Sequence, residues 1–121
     1  MITVKFVRDD SRRITGVFMN GHAGYSEEGS DIVCAGASTL IFTLANSLET
    51  VCGLKTEDSS NIVEGEDVSA EVTIPQWIFA DDKVSDRAQV IAETIRTGFI
   101  TLAASVNGEG EQQYINIIED N

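Results

Sequence analysis

A chain of 121 residues with 42% hydrophobic and 23% charged side chains has the make-up of a soluble globular protein, long enough to bury a real core, and a single domain over residues 1–121 is expected. Its formal charge of −12 argues against nucleic acid and anionic membranes as partners, since both would repel it, and in favour of basic ones, although such acidity can also serve solubility alone. No apolar stretch of about 20 residues free of polar interruption suggests a bilayer span, and the opening MITVKFVRDD lacks the features of a secretion signal, so a cytoplasmic location is expected.

Ile2 to Arg8 alternates and is rich in β-branched residues, the pattern of a strand. Asp9, Asp10 and Ser11 form a turn, and Arg12 to Ala23 reads as a second strand in a hairpin with the first. That strand runs into the stretch GHAGYSEEGSDIVCAGAS, Gly21 to Ser38, which holds the only histidine, His22, and one of two cysteines, Cys34. A helix is expected from Asp31 to Cys52, with Ser30 or Asp31 as N-cap and Gly53 where the helix stops. Ile32, Val33, Ala37, Leu40, Ile41, Leu44, Ala45, Leu48 and Val51 give it a broad apolar face and a central place in the fold. Cys34 and Cys52 then sit at opposite ends of one helix, roughly 27 Å apart, and a disulfide needs Cα atoms within about 7 Å. The pair is expected to remain as thiols.

Residues 54–75 read as two strands with a polar connection. Val68, Ala70, Val72 and Ile74 alternate with polar residues, as in a sheet with one buried side, and Pro75 ends the strand. Trp77 is expected to pack over a second helix, Asp82 to Asn107, whose stripe is Val84, Ala88, Ile91, Ile95, Phe99, Leu102 and Val106. Gln112 to Asp120 is a last strand. The order β-β-α-β-β-α-β implies an α+β fold, a mixed or antiparallel sheet with two helices packed on it.

The chemistry gathers around Cys34. With Asp31 as N-cap, the thiol falls in the first helical turn, where unpaired backbone N–H groups and the helix dipole favour a thiolate. The nearby Asp31 charge opposes this unless its carboxylate is engaged in capping. His22, twelve residues earlier at a strand end, is the only imidazole able to assist, and a thiol with an imidazole is the minimal apparatus of nucleophilic acyl transfer. First-turn amides are candidates for holding an oxyanion. Ser38 lies four residues beyond Cys34 on the same face. On spacing alone the bland readings compete: a buried small thiol, a simple N-cap, a helical serine. One His and two distant Cys do not make a zinc site, and no glycine motif cradles a phosphate.

The run GHAGY…G.DIVCAGAS resembles the signature of the bacterial ribosomal-processing cysteine protease family, Prp. The likeness is close over Gly21 to Glu49 and elsewhere lies in element order, charge and length. The resemblance implies a cysteine endopeptidase with His22 and Cys34 as the catalytic pair and Gly21, Asp31 and Ser38 in supporting or substrate-binding positions; no metal or other cofactor is expected. It further implies a basic substrate, a large-subunit ribosomal protein (number twenty-seven) made with a short N-terminal extension, and a homodimer that contacts neither nucleic acid nor membrane. The loop Gly21 to Ser30 is implied to move when substrate enters. Two rival readings are a non-catalytic acidic ribosome-assembly factor that binds a basic ribosomal protein, and a redox-sensing thiol protein. The latter ranks last, because Cys34 has no resolving thiol within reach.

Overall fold

Alternation in the strands and helical periodicity in the two long segments yield one five-stranded sheet with helices on one face. The computed structural model describes residues 1–22, 31–63, 68–108 and 113–120. Its elements are β1 (Ile2–Arg8), β2 (Ile14–Gly21), α1 (Ile32–Cys52), a single turn of helix α2 (Thr56–Ser59), β3 (Ser60–Val63), β4 (Val68–Thr73), a 3₁₀ segment (Gln76–Ala80), α3 (Asp82–Val106) and β5 (Ile115–Asp120). The sheet order is β3-β4-β2-β1-β5. β1 pairs antiparallel with β2 and parallel with β5, while β4 pairs antiparallel with both β2 and β3. The sheet is therefore mixed and the fold α+β, in the expected order with α2 and the 3₁₀ segment as additions.

Register decides which side chains meet the helices. Val4 and Phe6 lie opposite Met19 and Val17, which lie opposite Ala70 and Val72, and all six are buried. Their sequence neighbours Thr3, Lys5, Phe18, Glu71 and Thr73 point to the other face, as a period of two requires. β2 starts two residues later than the alternation suggests, because Arg12 occupies the left-handed region at φ 67° and Asp9 engages both the Arg13 amide (2.9 Å) and its guanidinium (2.8 Å). The hairpin turn thus extends through Arg13.

Val33, Ala37, Ile41, Leu44, Ala45 and Leu48 carry α1 into the core. Ile32 and Val51 do not; they are 64% and 49% exposed, although Val33 and Leu48 in the same end turns are fully buried, and at about 100° per residue Ile32 falls on the side of the helix away from that stripe. At 21 residues, with a mean hydropathy of 1.4, α1 is also long and apolar enough to cross a bilayer, contrary to the reading from uninterrupted apolar runs. It is instead a core helix: its apolar face is covered by the sheet and α3. There Gly98 gives Leu40 room, for a Cβ on Gly98 would lie 2.6 Å from Leu40 Cδ2. Phe99 meets Phe6 edge-on at 6.0 Å between ring centroids, a geometry favoured by the ring quadrupoles.

Trp77 does not pack over α3 as expected; it is 58% exposed, and its neighbour Ile78, 1% exposed, fills that place. The 3₁₀ turn rotates one residue inward in three, and Ile78 has that phase. β5 is tied to the end of α3 by Asn107, whose Oδ1 accepts from the Tyr114 and Ile115 amides and whose Nδ2 donates to the Ile115 carbonyl. Arg8 adds ion pairs to Glu93 on α3 (2.7 Å) and Glu119 on β5 (3.3 Å). Glu119 also bonds Arg96.

Candidate active site

The carboxyl end of β2, the central strand of the sheet, meets the amino end of α1. β2 delivers His22, the residue immediately after Gly21. Gly21 pairs with Ile2 on one side and Val68 on the other, and its φ of +108° is one that side-chain-bearing residues rarely adopt. A Cβ there would lie 2.3 Å from the Met1 carbonyl oxygen. The Met1 nitrogen in turn donates to the His22 carbonyl at 2.5 Å. Backbone alone thus sets the path of the chain into His22, and this is the physical reason for glycine at position 21.

Asp31 caps α1. It is 6% exposed, and its Oδ1 accepts from the Val33 amide (2.9 Å) and the Cys34 amide (3.1 Å). Of the two expected caps, Asp31 is the one used; Ser30 lies outside the described residues, as do the loop glycines, Glu27 and Glu28. The cap orients Cys34 in the first turn, half-buried. Its Sγ stands 3.4 Å from His22 Nδ1, so thiol and imidazole, twelve residues apart in sequence, are in hydrogen-bonding contact. One donor atom each from His22, Asp31 and Cys34 lie mutually within 4.8 Å.

The amides of Val33 and Cys34 are bound to the Asp31 carboxylate, so these two are not presented to an oxyanion; among the described residues Ile32 N–H is the first-turn amide that Asp31 does not accept. Ser38 is half-buried one turn beyond Cys34, but among the described residues it makes no hydrogen bond to Cys34 or His22. Conversely, the carboxylate of Asp31 turns a two-donor pair into a three-donor cluster. A count of His and Cys alone misses this, because capping already accounts for an aspartate at that position. Cys52 has a different environment: it is half-buried at the far end of α1, with its sulfur 3.9 Å from the Val84 carbonyl. Burial pushes its thiol pKa up, partly offset by the Arg87 charge.

A thiol in contact with an imidazole at a capped helix start, on a mixed sheet with helices on one face, is the arrangement of a thiol hydrolase. The comparisons with known proteins agree. Residues 1–110 match the family described as Cysteine protease Prp. A curated relative, the ribosomal processing cysteine protease Prp of Staphylococcus aureus strain Mu50, is 34% identical over 107 residues, covering 88% of this chain and 92% of the relative. The Bacillus subtilis strain 168 protein of the same name is 33% identical over 55 residues, 46% of this chain and 49% of that one. Among solved structures, that of the S. aureus protease with a covalently linked product peptide superposes with a TM-score of 0.72 at 28% identity, covering 99% of this chain and 100% of the other. The structure of the same enzyme with a substrate peptide gives 0.68 at 27% identity with the same coverage. The chain belongs to the cysteine protease Prp family and is a cysteine protease.

Proposed function

We propose that this chain is the endopeptidase that removes the N-terminal extension of a large-subunit ribosomal protein, number twenty-seven, with Cys34 as nucleophile and His22 as general acid and base. The observation that carries the reading is the 3.4 Å contact between Cys34 Sγ and His22 Nδ1 at the start of α1. Relatives described as ribosomal processing proteases support the substrate class. The charge of −12 suits a basic substrate, whose encounter it would accelerate.

In this mechanism the Cys34 proton passes to His22, and the resulting thiolate is favoured by the imidazolium and by the positive end of the α1 dipole. The sulfur attacks the scissile carbonyl, and the developing oxyanion faces the helix end, where Ile32 N–H is the amide not held by Asp31. His22 protonates the leaving amine, which departs and leaves a thioester. His22 next takes a proton from water, which attacks the thioester carbon and releases Cys34. Gly21 supports His22 and Asp31 supports Cys34. Ser38 is close enough along the same face to contact substrate.

The test is incubation of the full chain with the extended ribosomal precursor and mass measurement of the products. The expected result is a single cut that releases the extension, abolished in Cys34→Ala. A Cys34→Ala protein that still shortens the precursor refutes the assignment and favours a binding role through the acidic surface.

A further inference from the structure

The three-donor cluster at the end of the central strand has a second chemistry, independent of peptide hydrolysis. Cys34 supplies a soft sulfur, His22 an imidazole nitrogen and Asp31 a carboxylate oxygen, all within 4.8 Å of one another. A tetrahedral zinc ion has bonds of about 2.3 Å to sulfur and about 2.05 Å to nitrogen, which places those two ligand atoms roughly 3.6 Å apart. The observed Sγ–Nδ1 separation is 3.4 Å, so the two donor atoms already stand close to the spacing that one shared ion requires. The donors are also preorganised. Asp31 and Cys34 are fixed to one another by the cap, and His22 is held through the backbone path at Gly21 and Met1. A cation here would face two anionic ligands, carboxylate and thiolate, in a protein of charge −12.

We propose that His22, Asp31 and Cys34 form an inhibitory site for a thiophilic divalent cation of the zinc class. Three protein ligands leave a fourth position open to water, the coordination of an open rather than a closed site. Binding forms a metal–sulfur bond and releases the thiol proton to solvent; no oxidant or further reactant is needed. The ion occupies the lone pairs that the hydrolytic mechanism requires on Cys34 and His22, so metal and peptide compete for the same sulfur. The inhibitory part rests on the proposed catalytic roles; the binding part does not.

The two parts separate in one experiment. Metal-free protein is titrated with Co²⁺ and followed by the near-ultraviolet sulfur-to-cobalt charge-transfer band, then back-titrated with Zn²⁺, with peptide cleavage measured at each point. One Co²⁺ per chain is expected, with the band removed by Zn²⁺ and by Cys34→Ser but kept in Cys52→Ser. His22→Ala and Asp31→Asn should each weaken binding by about tenfold or more, as loss of a ligand requires. Asparagine preserves the helix cap, and circular dichroism of each variant confirms folding. Cleavage by wild type should fall as Zn²⁺ fills the site and return with a chelator. A band that survives Cys34→Ser, or affinity unchanged in both His22→Ala and Asp31→Asn, overturns the site. Metal binding by a protein that cleaves no peptide overturns the proposed function and leaves the site standing. Cleavage indifferent to saturating Zn²⁺ overturns the inhibition.

Discussion

Among the described residues two glycines have positive φ, and replacing each with alanine separates conformational strain from steric collision. At Gly53, the α1 C-cap at φ +73°, an added Cβ would have no atom within 4 Å, whereas at Gly21, φ +108°, the added carbon would sit 2.3 Å from the Met1 carbonyl oxygen and 3.4 Å from Ile2 Cα. Gly53→Ala therefore bears only the left-handed penalty, about 1–2 kcal/mol. Gly21→Ala incurs strain of about 2–3 kcal/mol in a sparsely populated region and a further 1–3 kcal/mol, roughly, for displacing backbone that no rotamer change can relieve. The total is about 3–6 kcal/mol. For a chain of this size each kcal/mol lowers Tm by about 3–5 °C, so Gly21→Ala should lose about 9–30 °C and Gly53→Ala about 3–10 °C in a thermal melt followed by circular dichroism. The collision also shifts the residue before His22. A misplacement of about 1 Å costs on the order of 100-fold in rate, so kcat/KM measured well below the melt should fall by that factor in Gly21→Ala and stay near wild type in Gly53→Ala. Equal Tm losses in the two variants would refute the collision argument. A destabilised Gly21→Ala that cleaves at the wild-type rate would refute the link from Gly21 to His22.

Asp31→Ala removes both acceptor bonds of the α1 cap and should destabilise the protein by about 1–2 kcal/mol, with Asp31→Asn losing at most a few tenths; chemical denaturation of the two variants compares them directly. Iodoacetamide at neutral pH should alkylate Cys34 far faster than Cys52, whose burial raises its pKa; mass mapping of the modified peptide reads the ratio, and equal rates would contradict the activated thiol. At Glu119 burial raises the carboxyl pKa, but hydrogen bonds and charges from Arg96 and Arg8 outweigh it and the net shift is downward. A carboxylate with a depressed folded pKa stabilises above its unfolded value and loses that contribution as pH falls below about 4, so Glu119→Gln should flatten the acid limb of a stability–pH profile and leave its alkaline limb unchanged. If the acidic surface steers a basic substrate, precursor cleavage should slow as salt rises, while cleavage of a short neutral peptide should not.

Periodicity alone located every long element, because alternation and the i, i+3, i+4 stripe report directly which residues must leave water. The Asp31 cap and the Gly53 stop were legible for the same local reason: side-chain oxygen before a helix and glycine after it answer unpaired backbone groups. Local logic failed where burial depends on what lies opposite. Ile32 and Val51, counted on the broad apolar surface of α1, stand exposed in its end turns, and Trp77 yields its place to Ile78 because a 3₁₀ turn sets a different phase. The helix α1 has the composition of a membrane span, and only its cover of strands and α3 identifies it as a core element.

The same division runs through the site. The sequence by itself determined that a thiol would stand in the first turn of a capped helix and that the lone imidazole would follow a strand, since both are consequences of residues near in the chain. Tertiary structure decided that the two touch and that His22 thereby comes within 4.8 Å of Asp31 as well, making a three-donor cluster. Those are distances between elements, set by strand register and by the seating of α1 on the sheet, and no local pattern encodes them.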